Sequence, residues 1–117
     1  MDIVVTNNPL VKAQYEDKYR VDFIETDMLG ILTTARDLIH KGHRLLTHPL
    51  MGSVKPNESP YKSVLISSVA EGTDEQSVTV IEESILAAKK FSPRNIPEQY
   101  LSDLQVVDLS LLRSALN

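Results

Sequence analysis

The sequence predicts a single α/β domain over residues 1–117, built in three layers around a mainly parallel sheet of four or five strands. Three observations lead to this prediction. Short apolar, β-branched segments alternate along the chain with segments of helical periodicity, as in strand–helix–strand units. The 117 residues suffice for one ordinary domain but not for two. Hydrophobic residues make up 42% and charged residues 24%, which is ordinary for a soluble globular protein.

The first quarter of the chain predicts two strands separated by a helix. Residues 3–5 (IVV) are β-branched and precede an Asn-Pro turn, so they suit a buried strand. Residues 10–19 carry scattered apolar side chains that indicate a short helix. Residues 21–25 (VDFIE) resemble a second, half-buried strand.

The most regular helical pattern follows directly. Thr26 or Asp27 can cap the start of this helix with a side-chain oxygen. Apolar residues then recur every three or four positions from Met28 to Ile39, which predicts a broad apolar face. Gly42 suits the left-handed position that ends many helices.

Two more strands are predicted on either side of an irregular loop at residues 50–60, which is rich in Gly, Ser, Pro and Asn. They comprise residues 44–47 (RLLT) and 63–67 (SVLIS). The apolar run of the second is typical of a central parallel strand covered on both faces. The strand order expected from this alternation is flavodoxin-like or Rossmann-like.

A helix is predicted after residue 73. Thr73 and Gln76 match a capping box, and apolar residues at helical spacing continue to about Lys90. Pro97 can then occupy the first turn of another helix, which extends to about residue 104.

The tail admits two interpretations. The β-branched pair Val106-Val107 favours a fifth strand at residues 105–108, followed by a short helix at residues 111–116. Alternatively, one long helix runs from Pro97 to the end. The strand is the favoured prediction.

Charge is unevenly distributed along this chain of net charge −4. Residues 36–62 carry five basic and two acidic side chains, together with all three histidines. One cationic segment on an acidic protein favours a small anion or an acidic protein as ligand. Nucleic acid is a poor candidate, because phosphate contacts need a larger cluster of cations.

The predicted topology places the candidate ligand site at the carboxyl ends of the first and third strands, where α/β sheets bind ligands. The cationic segment reaches the same edge. His48 can act as a general acid or base if the protein is an enzyme, and Lys55 can attract an anion. The full set of candidate binding residues is Asn7, Asn8, Thr47, His48, Gly52, Ser53, Lys55 and Asn57.

Several kinds of chemistry lack their signature in this sequence. It contains no cysteine, so this chain supplies neither a thiol nucleophile nor a thiolate metal ligand. It also contains no phosphate-binding or dinucleotide-binding glycine motif and no nucleophile elbow. His40 and His43 are spaced for a metal, but Gly42 ends the helix between them and few acidic residues are near. No metal and no cofactor are expected, and no apolar run is long enough to span a membrane.

The sequence resembles the GrdX family, small proteins encoded with the glycine, sarcosine and betaine reductase systems of anaerobic amino-acid-fermenting bacteria. The resemblance is carried by residues 4–11 (VVTNNPLV), residues 36–62 and residues 81–84 (IEES), and it covers nearly the whole chain. It implies a cytoplasmic protein that accompanies the reductase proteins. It carries no catalytic residue over to this chain.

These observations leave three hypotheses about function. The leading one is a non-redox accessory protein that binds a small anion or a partner protein of the reductase complex. The second is a small enzyme that acts on a phosphorylated or carboxylated metabolite, with His48 as acid or base. The third is a homo-oligomeric interaction module that uses exposed apolar surface such as Tyr15, Tyr19 or Tyr100.

Overall fold

The computed structural model describes residues 1–51, 55–92 and 94–116. Within these residues the chain forms three strands and four helices, in an alternating order that begins with a strand. The strands are β1 (Ile3–Thr6), β2 (Arg20–Phe23) and β3 (Ser63–Ile66). The helices are α1 (Pro9–Tyr15), α2 (Met28–His40), α3 (Glu75–Lys89) and α4 (Leu101–Leu116), with a 3₁₀ turn at Glu98–Tyr100 before α4.

The sheet is mixed and has the order β2-β1-β3. Strand β1 pairs in parallel with β2, with Val4 opposite Val21, and antiparallel with β3, with Val4 opposite Leu65. The prediction of a mainly parallel sheet of four or five strands in a flavodoxin-like or Rossmann-like order is therefore wrong. The apolar run 63–67 is a strand, but it runs opposite to its neighbour.

Residues 44–47, predicted as a strand, lie along the edge of β3 and form one isolated antiparallel bridge, Leu45 to Ile66. Two backbone bonds join the segments, from Leu46 N to Leu65 O at 2.9 Å and from Ser67 N to Arg44 O at 2.8 Å. Side chains supply two more bonds. Thr47 Oγ1 accepts from Leu65 N at 3.0 Å, and Ser67 Oγ accepts from Arg44 N at 2.7 Å. These bonds cover the open edge of β3, which explains why an edge strand is buried along its whole length.

Helices cover both faces of the sheet, so successive residues of each strand point into different cores. Ile3, Val5 and Ile66 contribute to the core beneath α2 and α3. Val4 and Leu65 contribute to a second core, beneath α1 and α4. Burial on both faces accounts for the uninterrupted apolar sequence of β1 and β3.

Side-chain caps fix where the helices begin. Asp27 caps α2 by accepting from Gly30 N at 2.8 Å, as predicted, and Asn8 caps α1 by accepting from Leu10 N at 3.0 Å. Helix α3 is capped by Asp74 rather than by the predicted Thr73. Hydrogen bonds from the side chain and backbone of Ser77 lower the pKa of the Asp74 carboxyl group.

The tail is one helix, so the favoured prediction of a strand at residues 105–108 is wrong and the alternative is correct. Leu109 and Leu112 are buried against Val4 and Val11, whereas Val106 and Val107 are 52% and 41% exposed. Burial of the leucine face outweighs the weak strand propensity of two adjacent valines. No helix in the described part of the chain is long and apolar enough to cross a membrane.

Gly42 and Gly72 provide a test of the turn that follows α2, because both have left-handed backbone angles (φ of +104° and +105°). An added Cβ at Gly42 would lie 3.0 Å from the backbone nitrogen of Gly72, whereas one at Gly72 would meet nothing within 4 Å. We expect Gly72→Ala to cost about 1–2 kcal/mol of unfolding free energy through backbone strain alone. Gly42→Ala should cost more, and urea denaturation measures both. Equal losses would show that the close backbone contact has no energetic effect.

Candidate functional site

A cluster of buried polar side chains lies where β1 ends and β3 begins. Thr6, Asn8 and Ser63 are completely buried, and Asp108 of α4 is 5% exposed. Thr6 Oγ1 and Ser63 Oγ are hydrogen-bonded at 2.6 Å, and Thr6 Oγ1 also accepts from Asn8 N at 3.0 Å. The cluster therefore joins both strands to α1 and α4.

The carboxylate of Asp108 is the centre of this cluster. Its Oδ2 accepts from Ser63 Oγ at 2.7 Å and from Asn8 Nδ2 at 3.0 Å. Asn8 Nδ2 donates in addition to the backbone oxygen of Gln105 at 2.9 Å. These bonds replace part of the hydration that a carboxylate loses on burial, which is why a charged side chain is tolerated here.

Lys62 brings a second charge to the same place. It precedes β3 and is only 7% exposed. Its backbone is fixed because Lys62 N donates to Asn7 Oδ1 at 2.9 Å. Among the described residues, neither a hydrogen bond nor an ion pair within 4.0 Å is formed by Lys62 Nζ.

Burial lowers the pKa of Lys62, and the nearby charge of Asp108 offsets part of this effect. The two charges are close enough to interact but do not form an ion pair. No buried side-chain nitrogen or oxygen of the described residues lacks a hydrogen-bond partner, so the Lys62 stem is buried while its amine reaches solvent. Lysines with a shifted pKa occur preferentially at functional sites.

Lys62 and Asp108 line a small pocket with a volume of about 20 Å³. This is room for little more than one water-sized group. Lys55, which is exposed, and Tyr61 line the same pocket, and its apolar walls come from Met28, Met51, Val107 and Leu111. Two amines against one carboxylate give the pocket a net positive charge.

Asn7 and Asn8, predicted to contact a ligand, are buried and engaged within the protein. Asn7 Nδ2 donates to the backbone oxygens of Thr26 and Pro60, both at 2.8 Å. Asn8 caps α1 and holds Asp108. The two residues thus act on the candidate site only by holding Lys62 and Asp108 in place.

Thr47 and His48 lie on the other side of β3 from Asn7 and Asn8. The prediction placed the two pairs side by side, but β3 is inserted between them. His48 is exposed, and its Nδ1 accepts from Leu50 N at 3.1 Å. Together with Arg44 and Asp74, Thr47 and His48 line a separate polar concavity of about 440 Å³.

The remaining candidate residues lie in the loop at residues 50–62. Lys55 lines the Lys62 pocket, as described above. Asn57 donates to the backbone oxygen of Ser92 at 3.0 Å and lines a mostly apolar cleft in two parts, of about 350 and 210 Å³. Gly52 and Ser53 lie outside the described residues. The candidate residues that line a concavity are therefore separated: Thr47 and His48 share one, whereas Lys55 and Asn57 line others.

The other residues considered for a role have ordinary environments. His43 Nδ1 bonds the backbone oxygen of Ser67 at 2.8 Å, and His40 Nε2 lies 3.5 Å from Glu82. In the described ranges no group of three metal-ligating side chains is assembled. Tyr15 is 7% exposed and packs edge-on against Tyr19, whereas Tyr100 is 51% exposed.

Lys62 and Asp108 were missed by the sequence reasoning. In the sequence analysis, Lys62 contributed only one of the five positive charges of residues 36–62. Asp108 would have stood out if the tail had been read as a helix, because it then falls on the same apolar face as Leu109 and Leu112. A lone carboxylate on the buried face of a helix is the signal that was available.

Comparison with known proteins gives one match. A family model described as GrdX-like protein matches residues 3–117, essentially the whole chain. No curated protein and no solved structure matches the chain significantly.

Loss of the Asp108 carboxylate should destabilise the fold. Asp108→Ala removes the acceptor for Ser63 and Asn8 in a buried place, and we expect a loss of about 2–3 kcal/mol in unfolding free energy. Asp108→Asn, which keeps one carbonyl acceptor, should lose less. The control is Asp103→Ala, an exposed acid of the same helix, which should stay within about 0.5 kcal/mol of the parent. Equal effects of Asp108→Ala and Asp103→Ala in urea denaturation would contradict the role of the cluster.

The pH dependence of stability should reveal the lowered pKa of Lys62. Because the pKa of Lys62 is lower in the folded than in the unfolded chain, the unfolded chain binds more protons between that value and ~10.4. Unfolding free energy should therefore rise with pH across this window, relative to Lys62→Met. Lys62→Met should be the more stable form at pH 7, and its advantage should shrink as the pH rises.

Comparing the two proteins at each pH cancels the titration of the other lysines and tyrosines. The charged and titratable groups that line the pocket with Lys62 are Lys55, Tyr61 and Asp108, and all three are retained in Lys62→Met. A difference in stability that does not change with pH would show that Lys62 has the same pKa in both states.

Proposed function

The chain belongs to the GrdX-like family, and from this premise we propose that it is a non-redox accessory protein of a glycine reductase-type system that binds a small anion in the Lys62 pocket. The family name supports the link to such a system. The absence of cysteine supports the accessory role, because this chain contributes no thiol to a redox reaction. Cytoplasmic localisation belongs to the same proposal.

The observation that carries the proposal is Lys62, which is 7% exposed and whose amine forms no ion pair within 4.0 Å among the described residues. A charged ammonium group loses hydration on burial, and this cost is normally offset by an ion pair or hydrogen bonds. Here Asp108 lies beyond ion-pair distance and has its Oδ2 engaged by Ser63 and Asn8. A small anion seated against Lys62 Nζ would supply the missing charge.

The shape and charge of the pocket favour a small anion over other ligands. Lys55 adds a second amine on the solvent side, so the electrostatic potential favours negative charge. The volume of about 20 Å³ admits one end of a carboxylate or phosphate group and leaves the rest of the molecule outside. The ligand would thus be a small metabolite, or an acidic side chain of a reductase-complex protein.

A second candidate function places the chemistry at His48. The supporting observation is the 440 Å³ concavity that His48 shares with Arg44, large enough for a phosphorylated or carboxylated metabolite. Because Nδ1 accepts from Leu50 N, the neutral ring carries its proton on Nε2. The His48→Ala variant separates the two candidates, since it leaves the Lys62 pocket intact.

Thermal denaturation with acetate or inorganic phosphate tests the proposal. At constant ionic strength, a ligand at 100 times its Kd should add about 2.7 kcal/mol to the unfolding free energy. We expect this stabilisation in the parent protein, its loss in Lys62→Met and a weaker effect in Lys55→Ala. Each variant is compared with its own anion-free Tm, because Lys62→Met also changes the intrinsic stability.

The matched control is Lys18→Ala, which removes one exposed positive charge remote from the pocket and should respond like the parent. Anion stabilisation that persists in Lys62→Met would overturn the proposed site. If it persists there but disappears in His48→Ala, the second candidate function gains the support instead.

A further inference from the structure

The surroundings of Lys62 favour a covalent reaction of its amine with a carbonyl carbon, in addition to electrostatic binding of an anion. An amine reacts with a carbonyl carbon only in its neutral form, and lysines become reactive when they are buried in apolar surroundings. Lys62 is 7% exposed, and Met28, Met51 and Leu111 line its pocket. A close ion pair would hold the proton on nitrogen, and no such pair is formed by Lys62 among the described residues.

Tyr61 and Asp108 provide groups that can move the protons of such a reaction. Tyr61 Oη accepts from Gln105 Nε2 at 2.9 Å, so its own proton is free to be donated. Tyr61 lines the pocket together with Lys62. Asp108 also lines the pocket, and as a carboxylate it can accept a proton from the amine.

Lys55 indicates what the rest of the substrate carries. It is exposed and lines the same pocket, so a carboxylate at the pocket mouth would face its ammonium group. The interior admits little beyond a carbonyl group. A molecule that combines a carbonyl carbon with an adjacent carboxylate matches both features.

We propose that Lys62 forms an imine with the carbonyl carbon of a small 2-oxo acid whose carboxylate lies against Lys55. This inference rests on the proposed function, since it names the class of anion that occupies the same pocket; a 2-oxo acid turns its carbonyl group towards Lys62 and leaves its carboxylate at the mouth, whereas a simple carboxylate such as acetate places its charged end against Lys62. The nitrogen lone pair attacks the carbonyl carbon, and the C=O bond becomes a C–OH bond. The nitrogen then forms a double bond to carbon while the hydroxyl group leaves with a proton from Tyr61. The carbonyl oxygen and two amine protons depart in net terms as one water molecule, and no oxidant or reductant is needed.

Reductive trapping tests the proposal directly. The full chain is incubated with glyoxylate, the smallest 2-oxo acid, and borohydride converts any imine into a stable secondary amine. Peptide mass spectrometry then locates the adduct. We expect labelling of Lys62 to exceed that of an exposed lysine such as Lys18 severalfold, because burial lowers the pKa of Lys62 and so raises the fraction of its amine that is neutral. Labelling that is spread evenly over the lysines would overturn the proposal.

Two probes separate the features of the substrate. Acetaldehyde has the carbonyl group without the carboxylate, and acetate has the carboxylate without a carbonyl group that forms imines. Acetate should slow labelling of Lys62 by glyoxylate. Lys55→Ala should reduce labelling by glyoxylate more than labelling by acetaldehyde. An equal reduction for both would contradict the role of Lys55.

Lys62→Arg distinguishes this proposal from the anion-binding function. Arginine keeps the positive charge but forms no such imine, so Lys62→Arg should retain stabilisation by acetate and lose the adduct at position 62. Lys62→Met, which should lose both, serves as the second variant if the guanidinium group is not accommodated. If acetate stabilises the parent through Lys62 and glyoxylate leaves no adduct there, imine formation is refuted and anion binding stands.

Discussion

The buried carboxylate of Asp108 is the constraint on which the arrangement of the chain depends. It is one of the last charged residues in the sequence, yet its Oδ2 is bonded to Asn8 and Ser63, which lie 100 and 45 positions earlier. A carboxylate withdrawn from water is tolerated only where such donors meet it. Helix α4 can therefore dock in one register, and docking fixes the end of β1, the start of α1 and the start of β3 together.

The same constraint creates the conditions for a binding site. Asp108 brings α4 over the segment that precedes β3, and Lys62 becomes buried between them. Ser63 and Asn8 hold the carboxylate of Asp108 by hydrogen bonds. The carboxylate therefore interacts electrostatically with Lys62 but does not form an ion pair with it. Burial lowers the pKa of the amine, which forms no ion pair with any described residue. Fold stability and the proposed anion site thus depend on one polar cluster, in which the carboxylate stabilises the packing and the amine costs stability.

The local sequence pattern predicts the structure correctly where interactions between residues close in sequence determine it. The start of α2 was narrowed to a cap at Thr26 or Asp27, of which the structure uses Asp27, and Gly42 was expected after its end. Both predictions were possible because a cap and a left-handed residue each act within one turn. The prediction from the local sequence was wrong where contacts with residues distant in the sequence determine the secondary structure. The strand predicted at residues 105–108 is part of helix α4, whose leucine face is buried. Residues 44–47 form only a bridge to β3, because the side chains of Thr47 and Ser67 accept two of the bonds that a full backbone ladder would form. The ligand site at that edge of the sheet stays a prediction, and the buried charged side chains that the structure places there are Lys62 and Asp108.

The sequence by itself determined the alternation of strands and helices, the two-sided burial of β1 and β3, and the cationic character of residues 36–62. Those properties follow from periodicity, propensity and charge, which neighbouring residues settle among themselves. Only the tertiary structure decided that β3 runs antiparallel to β1 and separates Asn8 from His48. It also decided that an aspartate near the carboxyl end meets a lysine at the centre of the chain. The direction of a strand and the pairing of buried charges depend on which apolar surfaces pack against each other and exclude water. This packing involves residues from the whole chain.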